Sequence, residues 1–366
     1  MESSRKPMSL GSSLLVPSVQ ELAKEPMEKI PPRYVRPELN SGIDVDSSAG
    51  RGSDQYIEIP VIDFQNLHLG DSSFASELEK LHSACKHWGF FQLVNHGVKS
   101  SSVEKMKAEL QRFFGLPMEE KKRYWQRPAE VEGFGQAFVL SEEQKLDWND
   151  MFYLTTLPPQ LRKPHLYDNL PTSFRETMEA YSLELEKLAK ELLGLMARAL
   201  RMNPKDMEET FEDVFQSMRM NYYPPCPQPE QAIGITPHSD PVGLTILLQV
   251  NDMEGLQVRK DGEWVPVKPL PDAFIVNVGD CLEILTNGEY RSIEHRAVVN
   301  STKERLSIAT FNSPSMTGEI GPTRSLVTPE RPPKFMTIAT EKYFRDCFAR
   351  ELDGQSYLDS LRILKM

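Results

Sequence analysis

Cysteine is scarce and scattered. The four residues, Cys85, Cys226, Cys281 and Cys347, form no CxxC pair, so neither a disulfide framework nor a zinc ribbon is expected. No apolar run approaches the ~18 residues of a membrane span, and mean hydropathy is −0.44. Positive charge is also short: 42 basic against 53 acidic side chains leave −11, with a pI near 5.3. Nucleic acids and anionic membranes both attract a basic field, so neither is an expected partner. The start, MESSRKPMSLGSSLLVPSVQ, carries Arg5 and Lys6 but only Leu14–Val16 as an apolar stretch. That is too short for a secretory signal, and a reduced, cytoplasmic setting is expected.

What is present is the composition of a folded protein. Hydrophobic residues are 39% and charged residues 26% of 366 positions, enough for a full core in one large or two small domains. Residues 1–55 read as a leader broken by Pro31-Pro32 and the polar stretch Ser47–Asp54, with a short helix capped by Ser18. A region over 56–215 is rich in helices. It opens on a short strand through Ile57, Ile59 and Val61, which Pro60 limits to a sheet edge. Leu78, Leu81, Cys85 and Trp88 then recur at helical spacing, and Gly89–Asn95 reads as a buried strand. Ser101 with Glu104, and Ser173 with Glu176, have the spacing of capping boxes. The second box precedes a long apolar stripe: Phe174, Met178, Tyr181, Leu185, Leu188, Leu192 and Met196.

Helical periodicity stops near Gln216. Seven short strands follow, at Met218–Tyr223, Leu244–Gln249, Leu256–Val258, Trp264–Val267, Phe274–Val278, Ala297–Val299 and Ser307–Phe311. Pro224-Pro225, Asp261-Gly262, Gly279-Asp280 and Asn287-Gly288 punctuate them. This pattern predicts a sandwich, barrel or double-sheet jelly roll over 216–320. A helical segment over 321–366 is expected to close the chain, with its helix near Thr340–Arg350.

Two of the seven histidines stand out. In His238-Ser-Asp240 the outer residues point to one side of an extended segment. His295 lies just before another strand, within reach across an antiparallel sheet. Two imidazoles and a carboxylate suit Fe(II) and leave coordination positions open; zinc accepts the same ligands. An isolated HxD is common and usually carries no metal. Arg305 and Ser307 add a second pattern, again two apart. A guanidinium and a hydroxyl beside a metal fit a dicarboxylate cosubstrate, and Tyr223 could add a donor. Arg305 could equally be a surface residue of the polar run Ser301–Arg305.

Taken together, His238-x-Asp240, His295 and Arg305-x-Ser307, with Asn221-Tyr-Tyr-Pro-Pro-Cys226 upstream, resemble the plant 2-oxoglutarate- and Fe(II)-dependent dioxygenases. So do Ile59-Pro-Val-Ile-Asp63 and Trp88-Gly-Phe-Phe-Gln-Leu-Val-Asn-His-Gly97, and the likeness covers residues 15–365. Val16–Ala23, Glu132–Gln136 and Arg162–His165 resemble the senescence-related-gene-like branch, near alkaloid O-demethylases and flavonol and anthocyanidin synthases.

The resemblance implies an α+β fold with a mainly β core: a distorted jelly roll, helix-rich at its N-terminal side, with a C-terminal helix. It implies Fe(II) on His238, Asp240 and His295, and 2-oxoglutarate on Arg305 and Ser307 with Tyr223 and Asn221 beside it. O2 would be the second cosubstrate and ascorbate the sustaining reductant. Phe134 and Phe311 match positions that face aromatic substrates, and Phe152 and Tyr153 are assigned to the same mouth. His96 is read as structural.

The expected activity is C–H oxidation, by hydroxylation or O-demethylation, of an alkaloid or other aromatic small molecule by a monomeric enzyme. The alternatives are an oxygenase for a flavonoid or hormone and, more remotely, a catalytically silent binding protein. Flavonoid enzymes carry an acidic residue where this chain has Ser313, which weighs against a flavonoid.

Overall fold

The computed structural model describes residues 13–37, 58–70, 72–128, 130–350 and 357–363. Twelve strands build its core: β1 Val61–Asp63, β2 Phe90–Val94, β3 Gly133–Gly135, β4 Asp150–Leu157, β5 Phe215–Tyr223, β6 Ile235–His238, β7 Leu244–Gln249, β8 Leu256–Lys260, β9 Glu263–Pro266, β10 Phe274–Val278, β11 His295–Ala297 and β12 Arg305–Ser313. Eight form one sheet in the order β1-β2-β10-β7-β12-β5-β4-β3; four form a second, β6-β11-β8-β9. Only β1 and β2 run parallel in these two sheets. This is the expected double-sheet architecture, and strands from both sides of Gln216 share the large sheet. A two-stranded ribbon, β13 Glu319–Ile320 with β14 Ile338–Ala339, lies apart.

The chain forms nine α-helices among the described residues: α1 Val19–Leu22, α2 Ser72–His87, α3 Ser100–Phe114, α4 Met118–Lys121, α5 Pro164–Tyr167, α6 Thr172–Ala199, α7 Pro204–Thr210, α8 Asp280–Leu285 and α9 Thr340–Phe348. Of these, α2, α3 and α6 share the main core with the large sheet. All seven stripe residues of α6 are buried, and they share a core with Leu306 and Ile308 of β12 and Met218 and Met220 of β5. Alternate residues of those strands therefore face the helices, and the residues between them face the second sheet.

Several sequence expectations need correction. Neither capping box forms: the residues before α3 and α6, Lys99 and Pro171, make no side-chain cap. A carboxylate from elsewhere serves α3 instead. Glu184 of α6 accepts the Lys99 N–H at 3.1 Å and the Ser102 hydroxyl at 2.6 Å. Ser173 and Glu176 fall inside α6, because the helix starts directly after Pro171. Ile57 lies outside the described residues, and the edge strand begins after Pro60. The turn read at Gly279-Asp280 opens α8, whose six residues are all buried. Strand β4, buried throughout, has no counterpart in the sequence reading.

The leader does fold as expected around Ser18, which caps α1 by accepting the Glu21 N–H at 3.2 Å. Asp150 at the start of β4 ties this cap down. It accepts from the Ser18 hydroxyl at 2.5 Å and from the N–H groups of Val19 and Gln20 at 2.8 and 2.9 Å. Among the described residues no helix is long and apolar enough to cross a membrane.

Candidate active site

A cavity lies between the two sheets. Its floor follows from strand parity. Arg305, Ser307, Ala309, Phe311 and Ser313 of β12 all line it, as do Tyr223, Asn221, Arg219, Ser217 and Phe215 of β5. The register sets these two rows opposite each other, from Arg305↔Tyr223 to Ser313↔Phe215.

Near one end stand His238, Asp240 and His295, whose donor atoms lie within 4.8 Å of one another; no other such group occurs among the described residues. The two histidines face each other across β6 and β11, with ring centroids 4.3 Å apart. Asp240 Oδ1 lies 3.6 Å from His238 Nε2 and 3.7 Å from His295 Nε2. The outer atoms are already engaged. His238 Nδ1 meets the Thr236 carbonyl at 2.8 Å and His295 Nδ1 the Ile293 carbonyl at 3.2 Å. Asp240 Oδ2 accepts from Thr245 Oγ1 at 2.7 Å and Asn277 Nδ2 at 2.8 Å. Each side chain is thus oriented by a second partner, leaving Nε2, Nε2 and Oδ1 convergent. Burial, then the neighbouring His295, pushes the His238 imidazole well below its ordinary range. Burial alone would raise the Asp240 carboxyl; the two imidazoles and the Asn277 and Thr245 hydrogen bonds outweigh it and hold it below the usual range. Neutral imidazole and ionised carboxylate are the forms a metal binds. Two nitrogens and one oxygen with room beyond them could hold Fe(II).

Arg305 is no surface residue. It is 3% exposed, and among the described residues no carboxylate lies within ion-pairing distance. Its Nη2 donates to Gln249 Oε1 at 2.8 Å, its guanidinium lies 5.1 Å from the Tyr223 ring centre, and its Nε has no partner. Ser307 Oγ is 3.5 Å from Nη1 and 3.4 Å from Asn221 Nδ2. Burial raises the Tyr223 phenol above its ordinary range, so it remains a donor. Gly255 makes room for the arginine: a Cβ there would sit 2.9 Å from Arg305 Cδ and 2.8 Å from the Val298 oxygen. A buried cation with no anion in its own chain is costly, and this cluster of donors could hold the carboxylate of a dicarboxylic cosubstrate.

At the far end the cavity is aromatic. Phe311 and Tyr153 line it; Phe134 and Phe152 do not. Phe152 is fully buried, stacked on Phe113 of α3 at 4.4 Å, and Phe134 packs beside it. Parity decides this: Phe134 pairs with Phe152 across β3 and β4 and shares its face, whereas Tyr153 points the other way. The sequence reading missed Phe138, Phe215, Phe344 and Phe348, and also Arg219. Arg219 donates to Asn221 Oδ1 at 2.8 Å and, among the described residues, has no carboxylate within ion-pairing distance. The apolar spacing of Phe344 and Phe348 on α9 was a usable signal for a buried helix, though not for its place. His96 packs its ring 4.2 Å from Phe274 and takes no part in the metal group.

Behind the cavity wall, Glu132 accepts the Thr155 N–H at 2.7 Å. Burial raises its carboxyl to about 7, against the lowering effect of that bond. An acid whose folded pKa is raised stabilises the protein below its unfolded pKa and loses that contribution as pH rises through about 7. Glu132→Gln is therefore expected to exceed the natural protein in stability at pH 8, by on the order of 2–3 kcal/mol, and to match it near pH 4. Urea unfolding midpoints across this range would measure it.

The comparisons with known proteins agree with this geometry. The model of the 2OG-Fe(II) oxygenase superfamily matches residues 214–314, and that of the non-haem dioxygenase in morphine synthesis N-terminal region matches 59–173. Protein SRG1 of Arabidopsis thaliana is 59% identical over 96% of this chain and 98% of its own. The oxoglutarate-dependent flavonoid 7-O-demethylase 1 of Ocimum basilicum is 55% identical over 97% and 93%, and thebaine 6-O-demethylase of Papaver somniferum 53% over 98% and 99%. The crystal structure of JOX2 with 2OG, Fe and JA superposes with a TM-score of 0.84 at 36% identity, covering 95% of this chain and 98% of that one. Sequence, fold and the convergent His-Asp-His group thus lead to one conclusion: the chain belongs to the 2-oxoglutarate- and Fe(II)-dependent dioxygenases, in the plant branch that includes SRG1.

Proposed function

We propose that this dioxygenase oxidises a C–H bond of a flat aromatic specialised metabolite, an alkaloid or a related methoxylated ring system, with O-demethylation as the favoured outcome. The observation that carries this is the single cavity face on which a buried, anion-seeking Arg305 stands at one end and Phe311 among other aromatics at the other. The names of the thebaine and flavonoid demethylases support the choice of reaction.

In this reading His238, Asp240 and His295 hold Fe(II). Arg305 grips the far carboxylate of 2-oxoglutarate with Ser307, and Tyr223 and Asn221 complete its wall. Bound Fe(II), with 2-oxoglutarate and O2, supplies the oxidising power, and the oxoacid leaves as succinate and carbon dioxide. The protein's part is to place one C–H bond near the metal and keep water out. The aromatic walls orient a planar ring by offset stacking, and the Arg219 guanidinium offers donors to an oxygen on that ring. No general base is required and none is assigned. The division we favour has residues 216–320 carrying the metal and cosubstrate, 56–215 framing them, 321–366 closing the aromatic end and 1–55 serving as a leader. A monomer in the cytoplasm, sustained by ascorbate, completes the proposal. A flavonoid is the second reading, favoured by the flavonoid 7-O-demethylase relative and opposed by Ser313.

Incubation with Fe(II), 2-oxoglutarate, ascorbate and a panel of methoxylated alkaloids and phenolics is the test. One succinate should form per substrate oxidised, with formaldehyde where a methyl is lost. Phe311→Ala should weaken substrate use by roughly 1–3 kcal/mol, the scale of a stacked aromatic contact, while 2-oxoglutarate decay without substrate persists. Product formed without 2-oxoglutarate would refute the reading.

A further inference from the structure

One wall of the cavity is held from an unexpected direction. Ala137 and Phe138 line the aromatic end, and Phe138 has a left-handed backbone, φ 62°, a costly conformation for an aromatic residue. Its ring lies flat on Phe348 of α9, centroids 5.3 Å apart and planes 3° from parallel. The stack therefore joins two distant pieces of chain at the cavity's rim.

The restraint on Phe138 comes from both flanks. Ser13 straddles it: its hydroxyl donates to the Gln136 carbonyl at 2.6 Å and accepts the Val139 N–H at 3.2 Å. Next to it, the Leu14 N–H donates to the Val139 carbonyl at 2.7 Å. On the other side Gln144 Nε2 donates to the Phe138 carbonyl at 2.7 Å, and Gln144 Oε1 accepts the Leu140 N–H at 2.7 Å. Ser13 is itself 8% exposed, and a few residues on Val16 and Val19 are buried, with Asp150 holding the start of α1. The leader segment is thus anchored just after the residues that meet the rim.

We propose that Ser13 is a positioning residue for the oxidation: it holds Phe138 in its left-handed conformation, stacked on Phe348, and so fixes the aromatic rim against which a planar substrate is seated. Ser13 does not line the cavity; it acts through Phe138. The claim rests on the proposed function only in placing the substrate in this cavity.

Cys347 gives a readout that needs no substrate. It lines the cavity beside Phe348 and is the one cysteine that is not fully buried. The full-length protein is treated with N-ethylmaleimide and labelling of each cysteine is followed by peptide mass mapping. Ser13→Ala should speed labelling of Cys347 roughly tenfold, the scale of losing two hydrogen bonds, and Phe138→Ala should speed it at least as much. Ser13→Thr, which keeps the hydroxyl, should stay near the natural rate. Cys85, Cys226 and Cys281 should remain unlabelled, which separates an opened rim from an unfolded chain. With any substrate found by the panel, Ser13→Ala should raise its KM several-fold with little change in kcat and none in the KM for 2-oxoglutarate.

An unchanged Cys347 rate in Ser13→Ala, alongside a raised rate in Phe138→Ala, would overturn the role of Ser13. An unchanged rate in Phe138→Ala would overturn the rim itself. Should the panel give no turnover, the substrate reading fails while the labelling still decides the clamp.

Discussion

Asp240→Ala is expected to abolish Fe(II) binding and all turnover while leaving a folded protein. The carboxylate is the only anionic member of the group, and its Oδ1 is the atom both imidazoles approach. Without it two nitrogen donors remain, too few and too weak to retain a labile divalent ion. The fold should persist because the two strands bearing the histidines are paired through the backbone. The loss leaves Thr245 and Asn277 without their acceptor, at a cost of about 1–3 kcal/mol for a buried polar group. Iron content after dialysis, with circular dichroism as the control for folding, measures both halves. Iron retained at unchanged affinity would refute the assignment.

The second large effect is expected at the other anchor. Arg305→Ala should weaken 2-oxoglutarate by on the order of 2–3 kcal/mol, the value of a charge-assisted contact in a buried site, and leave affinity for the aromatic substrate nearly untouched. Anaerobic titration calorimetry reads the first directly. Stability should move the opposite way in the absence of cosubstrate. The guanidinium is buried with no carboxylate beside it, so its removal relieves a desolvated charge. Equal 2-oxoglutarate affinity in both proteins would remove Arg305 from the site.

Much of the metal end was legible because its signals are local. A histidine and an aspartate two apart on extended chain must share a face, and so must Arg305 and Ser307. The aromatic end was legible only in part. Tyr153 and Phe152 are adjacent, and which of them enters the cavity depends on the parity of β4; Pro158-Pro159 marks where that strand ends but not which of its faces turns inward. Phe344 and Phe348 reach the cavity because α9 returns over β5 and the segment before β4, a contact far apart in sequence that no local pattern announces. The failed capping boxes teach a related lesson. Ser101 and Glu104 have the right spacing, yet α3 begins at Ser100, so both fall inside the helix, and its N-terminal end is held from α6, where Glu184 accepts the Lys99 N–H and the Ser102 hydroxyl.

Strand β12 works as a ruler. Arg305, Ser307, Ala309, Phe311 and Ser313 are graduations on one edge, and six residues of extended chain separate the first from Phe311 by about 20 Å. In the proposed reading, changes at 311 and 313 are expected to alter which substrate fits without disturbing the cosubstrate anchor proposed at 305 and 307. Deleting a single residue between the two ends is a different matter. It would turn every mark beyond the deletion over to the helix side at once, so this stretch should tolerate no change of length.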